Sequence, residues 1–373
     1  VILLVWKLLV CIMNNLLIIF VFLSATLPTI ESYKLPPRRI RPNSFLRSSE
    51  SQYEVSARVA ASNVFLDSLF SYKPFFNVIK EGARNTIINR AEKIGVRWSD
   101  EVASMERSMD KLTDDYNRLL NSKLEYPSYF LKPFHGYDDG NLSWQAAFEV
   151  APSALTVHAY VYTGDSKKLE IEGDYKLRDN FHKEMTRMLQ EKGIKTPKKI
   201  LDIGCSTGLS TIKLHHTYPE AEIIGVDMSP YMVAVARHEL QQKSSLLSAR
   251  SHVTYLHNAG EDSKLGEKDV DMVSACLVFH ELPTYAARAI FNEAYRVLPA
   301  GGVFSYMDMN PQSEAFIKLA SNPFAFAGFS STEPWMREYV NMDLKKTLES
   351  CGFSDVSVAS NSPRHRTVVA VKK

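Results

Sequence analysis

Apolar residues along this chain keep one period up to about residue 195 and another after it. In the first part the spacing is helical. Phe76, Ile79, Ala83 and Ile87 recur at steps that return to one helix face. Val102, Met105, Met109, Leu112, Tyr116 and Leu119 alternate steps of three and four, an amphipathic stripe that predicts one helix packed on its neighbours. Ser99 is expected to cap it, with Asp100 and Glu101 in the first turn suiting the helix dipole. From residue 198 short β-branched runs appear instead. Residues 200–203 stop at a glycine-bearing turn, a helical segment follows to about 217, and a second run at 222–226 ends on Asp227. Strand, tight turn, helix, strand, carboxylate is the first half of a parallel nucleotide-binding sheet. Further strands are predicted at 253–256, 270–275 and 303–308, with helices from Pro230 to about 242 and up to about 297 between them.

The turn reads Asp202-Ile203-Gly204-Cys205-Ser206-Thr207-Gly208. Glycines there let backbone N–H groups approach a ligand with no Cβ in the way, and a carboxylate at the tip of the next strand can accept from ribose hydroxyls. A phosphate-cradling loop needs Lys and Ser or Thr directly after the last glycine, where Leu209 stands. A dinucleotide fingerprint needs glycines at 206 and 209, which argues against a nicotinamide oxidoreductase. The Asp-x-Gly-x-x-x-Gly turn of S-adenosylmethionine (SAM) binding fits. With it the chain resembles the class I SAM-dependent methyltransferases, type 11 or UbiE-like branch, in which the turn usually has a middle glycine where Ser206 stands here. Residues 126–147, with Phe134-His135, Tyr137-Asp138 and Gly140 to Trp144 in order, are similar to the segment before the methyltransferase domain in UbiE-like proteins of cyanobacteria and plastids.

The resemblance implies a Rossmann-like α/β sheet, mostly parallel with an antiparallel last strand, behind an N-terminal helical extension. It places 353–358 and 367–371 in the antiparallel pair. It implies SAM as cofactor, held by Asp202, Gly204, Cys205, Ser206, Gly208, Asp227, Met228, Ala259, Gly260, Glu261 and Leu277. Asp202, Asp227, Glu261 and His280 all fall at carboxyl ends of strands, where open α/β sheets bind ligands. His280 is the candidate catalytic residue, as a base or as an orienting group. Acceptor contacts are expected from Tyr137, Trp144, His280 and Asn310, and Phe324, Phe326, Phe329 and Trp335 are expected to wall a pocket for a small lipophilic or aromatic, quinone-like acceptor. A non-catalytic SAM-binding scaffold or sensor is the alternative. Arg364-His365-Arg366 is read either as an anion site or as the tip of a hairpin.

Composition narrows the partners. A formal net charge of +2 gives no field for nucleic acid, and strand 4 lacks the Asn/Asp-Pro-Pro-aromatic motif of nucleic-acid amino-methylating members. The 4 cysteines, Cys11, Cys205, Cys276 and Cys351, are far apart with no Cys-x-x-Cys, which argues against a disulfide framework or a zinc site. No metal is expected, and Cys205 and Cys276 are read as packing residues. Residues 1–25 are almost wholly apolar. The run at 16–23 after Met13 has the length of a secretory h-region, short of the ~20 residues that span a bilayer. Between 31 and 50 the chain is basic and acid-poor, with Lys34, Arg38, Arg39, Arg41 and Arg47. A signal followed by a transit-like segment predicts a plastid address, with a membrane anchor or the secretory pathway as alternatives. The expected organisation is a targeting segment at 1–50, a helical extension at 51–177 and a methyltransferase domain at 178–373.

Overall fold

The computed structural model describes residues 73–165, 167–242, 252–330 and 332–373. The predicted targeting segment lies outside them. Among the described residues no helix is long and apolar enough to cross a membrane.

A 7-stranded sheet organises the chain: β1 (Lys199–Ile203), β2 (Glu222–Asp227), β3 (His252–His257), β4 (Met272–Cys276), β5 (Val303–Met309), β6 (Phe353–Ser360) and β7 (His365–Lys372), in the order β3-β2-β1-β4-β5-β7-β6. The first five pair in parallel, and β7 pairs antiparallel with both β5 and β6. The order reverses at β1 and β4, so a crevice opens beyond their carboxyl ends. Alternation along the strands divides the core in two. Leu201, Ile203, Ile224, Val226, Val273 and Ala275 face one layer with Ile290, Phe291 and Ala294 of a helix at Thr284–Val297. Ile200, Ile223 and Met272 face the other, against Leu177, Phe181 and Met185 of a helix at Gly173–Glu191 and Leu214 and Val233 of two more. All these side chains are nearly or wholly excluded from water.

In chain order the helices are α1 (Lys73–Lys93), α2 (Trp98–Glu106), α3 (Met109–Leu119), α4 (Trp144–His158), α5 (Gly173–Glu191), α6 (Leu209–Thr217), α7 (Pro230–Gln242), α8 (Thr284–Val297), α9 (Glu314–Ala320), α10 (Pro323–Ser330), α11 (Met336–Asn341) and α12 (Leu344–Ser350). The stripe from Val102 to Leu119 falls on two helices rather than one. The break is at Arg107 and Ser108, whose N–H groups close the end of α2 on Ala103 and Met105. Ser99 lies inside α2, which Arg97 precedes, so the expected cap is not made. Ser143 does cap its helix: its Oγ accepts from the Ala146 N–H at 3.2 Å. The division expected at 177/178 falls inside α5, whose buried face belongs to the sheet core.

The extension is fastened over the crevice. Leu112 of α3 packs with Met232 and Val235 of α7, and Arg237 pairs with Asp115 at 2.8 Å. The Asn121 N–H donates to His257 Nδ1 at 2.9 Å, while His257 Nε2–H donates to the Met228 carbonyl at 2.8 Å. The Ser229 hydroxyl donates to the Asn141 carbonyl at 2.6 Å, and Tyr129 donates to Glu261.

A second fastening contributes to acid sensitivity. His182 of α5 donates from Nδ1 to the Thr217 hydroxyl, 2.7 Å away at the end of α6. Burial, with Lys213 and Arg178 nearby, pushes its pKa down to about 3. The unfolded chain then binds a proton that the fold refuses, so this contribution is intact above the ordinary histidine value and is lost as pH falls from there towards 3. Urea unfolding at successive pH values is expected to show stability falling below about pH 6.5. His182→Gln should flatten that slope by up to about 1.4 kcal/mol per pH unit.

Candidate active site

The turn between β1 and α6 is built from left-handed backbone. Gly204, Ser206 and Gly208 have φ of 66°, 49° and 85°. A Cβ on Gly204 would come within 2.6 Å of Val278 Cγ2, and one on Gly208 within 2.4 Å of the Tyr255 hydroxyl. Ser206 holds a conformation that suits glycine, at a cost of ~1–2 kcal/mol. Its N–H donates to Asp227 Oδ2 at 2.9 Å, and the Ser229 N–H donates to Oδ1 at 2.8 Å. A carboxylate offers about four lone-pair positions, so Asp227 keeps capacity for two hydroxyl donors. Burial raises its pKa, against the pull of those N–H groups.

From this turn a cavity of about 850 Å³ runs beyond the strand ends and under the extension. That is in the upper part of the ~300–1,000 Å³ usual for ligand sites. Gly204, Cys205, Ser206, Asp227, Met228, Gly260, Glu261 and Leu277 line one end, and Tyr137 and His280 line it further along. Glu261 Oε2 is buried there with no partner. Gly260 is required by packing, since a Cβ would come within 2.7 Å of Ile203 Cγ2. Phe316, Leu319, Phe329 and Trp335 add an apolar stretch to the lining, with Lys132 over the Trp335 ring at 4.3 Å.

Five of the expected contacts do not line the cavity. Asp202 is wholly buried and accepts from the Ser210 and Thr211 hydroxyls, both at 2.7 Å, so it anchors the start of α6. Burial pushes its pKa up to about 6, against those two donors. Gly208 is the left-handed cap of α6. Ala259 closes a small turn with Asp262. Trp144 stacks among Tyr116, Phe148 and Tyr231, where the extension meets α7. Asn310 caps the Gln312 N–H and donates its own N–H to the Arg364 carbonyl, shaping the end of β5. In the expected aromatic wall, Phe326 is instead core, packed on Phe316 and Phe329, and Phe324 lies outside the described side chains. Cys205 packs in the sheet core, where burial pushes its thiol pKa well up; Cys276 is pushed up to about 12 by burial, against Arg178.

His280 lies on a 3₁₀ turn at Phe279–Glu281 after β4, and its Nδ1–H donates to Asp308 Oδ1 at 2.8 Å. The Phe279 and His280 N–H groups hold Oδ2 of the same carboxylate at 2.8 and 3.2 Å. Burial disfavours the charged ring, but Asp308, backed by Glu333 and Glu281, outweighs it and lifts the His280 pKa to about 10. The Asp308 bond fixes the orientation of the ring, which both the orienting role and the base role require.

The sequence did not single out the residues facing His280 as a group. His135 Nε2 is 3.0 Å from Glu333 Oε1, and both rings lie 3.9 Å from Glu281 Oε1. Burial pushes the Glu281 pKa up to about 7, against the pull of His135 and His280. Arg364 lines the cavity and stacks on Tyr160 at 4.5 Å, with Arg90 at 4.9 Å, whereas Arg366 is buried near Tyr339.

Residues 200–302 match the family model described as a methyltransferase domain. An uncharacterized methyltransferase of Synechocystis is 29% identical over 170 residues, which is 45% of this chain and 72% of that relative. The demethylmenaquinone methyltransferase of Thermus thermophilus is 28% identical over 117 residues, covering 31% of this chain and 50% of its own length. The chain is also similar to the solved structure of Haemonchus contortus phosphoethanolamine N-methyltransferase 2 with SAM, at 15% identity and a TM-score of 0.42, covering 66% of this chain and 60% of that one.

The turn yields a direct test by urea unfolding. Gly208→Ala is expected to cost roughly 2–4 kcal/mol, from left-handed strain and the Tyr255 clash together. Ser206→Gly should stay within about 1 kcal/mol, because relieved strain is offset by a freer unfolded chain. A neutral Gly208→Ala would contradict the geometry.

Proposed function

We propose that this chain, a SAM-dependent methyltransferase with a Rossmann-like domain, methylates an oxygen or carbon of a small lipophilic or aromatic, quinone-like acceptor. The cofactor supplies an activated methyl group. The residues present fit it: Gly204, Gly260, Asp227 and Glu261 all line the cavity, and Asp227 and the unpartnered Glu261 oxygen offer acceptors to hydroxyl donors.

The observation that carries the acceptor class is the cavity's mixed lining. The polar turn, the His280 cluster and the apolar side chains of Phe316, Leu319, Phe329 and Trp335 all line it. An apolar wall with a few convergent polar groups suits a ring bearing oxygen. The Thermus relative named for demethylmenaquinone points the same way. Little chemistry is asked of the protein beyond aligning nucleophile, methyl carbon and sulfur. His280, fixed by Asp308, and Glu281 are placed to hydrogen-bond the acceptor's oxygen.

The full chain should be incubated with SAM and a panel of quinols, phenols, small carboxylic acids and amines, with products read by mass. Methyl transfer to a quinol or phenol is expected, with Phe329→Ala lowering kcat/KM roughly tenfold or more. Transfer only to the acids or amines would overturn the acceptor class. Bound SAM with no transfer to any of them would favour the non-catalytic scaffold.

A further inference from the structure

We propose that His135, His280 and Glu281, with Glu333 beside them, form a binding site for a divalent transition-metal ion on the wall of the acceptor cavity. Sequence reading offered no metal, because the cysteines lack ligand spacing and these four residues come from three separate stretches. The fold brings them together. One ligand atom from each of His135, His280 and Glu281 lies within 4.8 Å of the others, and all four residues line the cavity.

The separations suit an ion. Ligands at 2.0–2.1 Å around a tetrahedral ion stand about 3.3 Å from one another. His135 Nε2 to Glu333 Oε1 is 3.0 Å, and each Nε2 is 3.9 Å from Glu281 Oε1.

Two features mark the cluster as more than a meeting of charges. His280 Nδ1–H donates to Asp308, and the backbone N–H groups of Phe279, His280 and Met309 hold that carboxylate in place. A ring nitrogen fixed in this way on a carboxylate leaves Nε2 facing the cluster, the arrangement typical of a metal-bound histidine once the ion displaces the Nε2 proton. Glu333, only 8% exposed, has its Oε2 buried with no partner at all. Such an oxygen normally demands a donor or a cation. Among the described residues no lysine or arginine pairs with Glu281 or Glu333; their ion-pair partners are the two histidines.

Imidazole and carboxylate together favour zinc, iron or manganese over calcium or magnesium, which prefer all-oxygen sites. Three protein ligands leave a position open towards the cavity, where a hydroxyl or carbonyl oxygen of an acceptor can bind. The site stands on the ligand geometry and does not depend on the acceptor proposed above.

The test uses the full chain, stripped with chelator and titrated with Co(II) and Zn(II). Visible absorption reports Co(II) coordination and calorimetry reports Zn(II). One equivalent is expected to bind, with the visible spectrum of a low-coordinate nitrogen–oxygen site. His135→Ala and Glu333→Gln should each weaken binding at least tenfold. The exposed His216→Ala should leave it unchanged. His135 carries a side chain 42% exposed, so its loss leaves the core intact, and SAM binding by the variant confirms that. No binding, or binding that survives His135→Ala and Glu333→Gln, would overturn the proposal and leave the four residues as a hydrogen-bonded ion-pair network.

Discussion

Two backbone N–H groups, of Ser206 and Ser229, share the Asp227 carboxylate, and that arrangement fixes where the cavity begins. One N–H comes from the turn after β1 and the other from the start of α7. Holding both requires left-handed backbone at Gly204, Ser206 and Gly208, and it brings β1, β2 and their helices into one frame. Asp202 works from beneath, its buried carboxylate taking the Ser210 and Thr211 hydroxyls so that α6 leaves the turn at a set angle. The chain thus divides two acidic roles that the motif leaves undivided. Asp202 Oδ2 holds the start of α6, and Asp227 lines the cavity.

The extension completes the site rather than standing apart from it. Tyr129, Asn121 and Asn141 bond to Glu261, His257 and Ser229, each at or next to the carboxyl end of a strand. His135 reaches the far wall and meets Glu333 from the segment after β5. Besides these hydrogen bonds, the extension meets α7 through an aromatic group of Trp144, Tyr116 and Tyr231.

Much of this was legible in the residues. The β1 turn, the strand ends and the antiparallel final pair all follow from local pattern or from the resemblance that the turn carries, because each depends on neighbours in sequence. What escaped depends on distant partners. A stripe from Val102 to Leu119 keeps its period across the Arg107–Ser108 break because both helices present the same face to their neighbours. Phe326 and Trp144 are aromatic in either role, and only packing tells a core ring from a wall. The meeting of His135, His280, Glu281 and Glu333 joins positions up to about two hundred residues apart, and the only signal in the sequence was the polar, aromatic character of residues 126–147.

The central claim is that the Asp227 end of the cavity holds SAM. Calorimetric titration of SAM into the full chain, beside Asp227→Ala and with NAD as control, tests it most directly. Micromolar SAM binding is expected, roughly 10–100-fold weaker in the variant as charge-assisted hydrogen bonds are lost, with no NAD binding. Folded protein that ignores SAM, or binds NAD in its place, would contradict the account and leave the turn as structure alone.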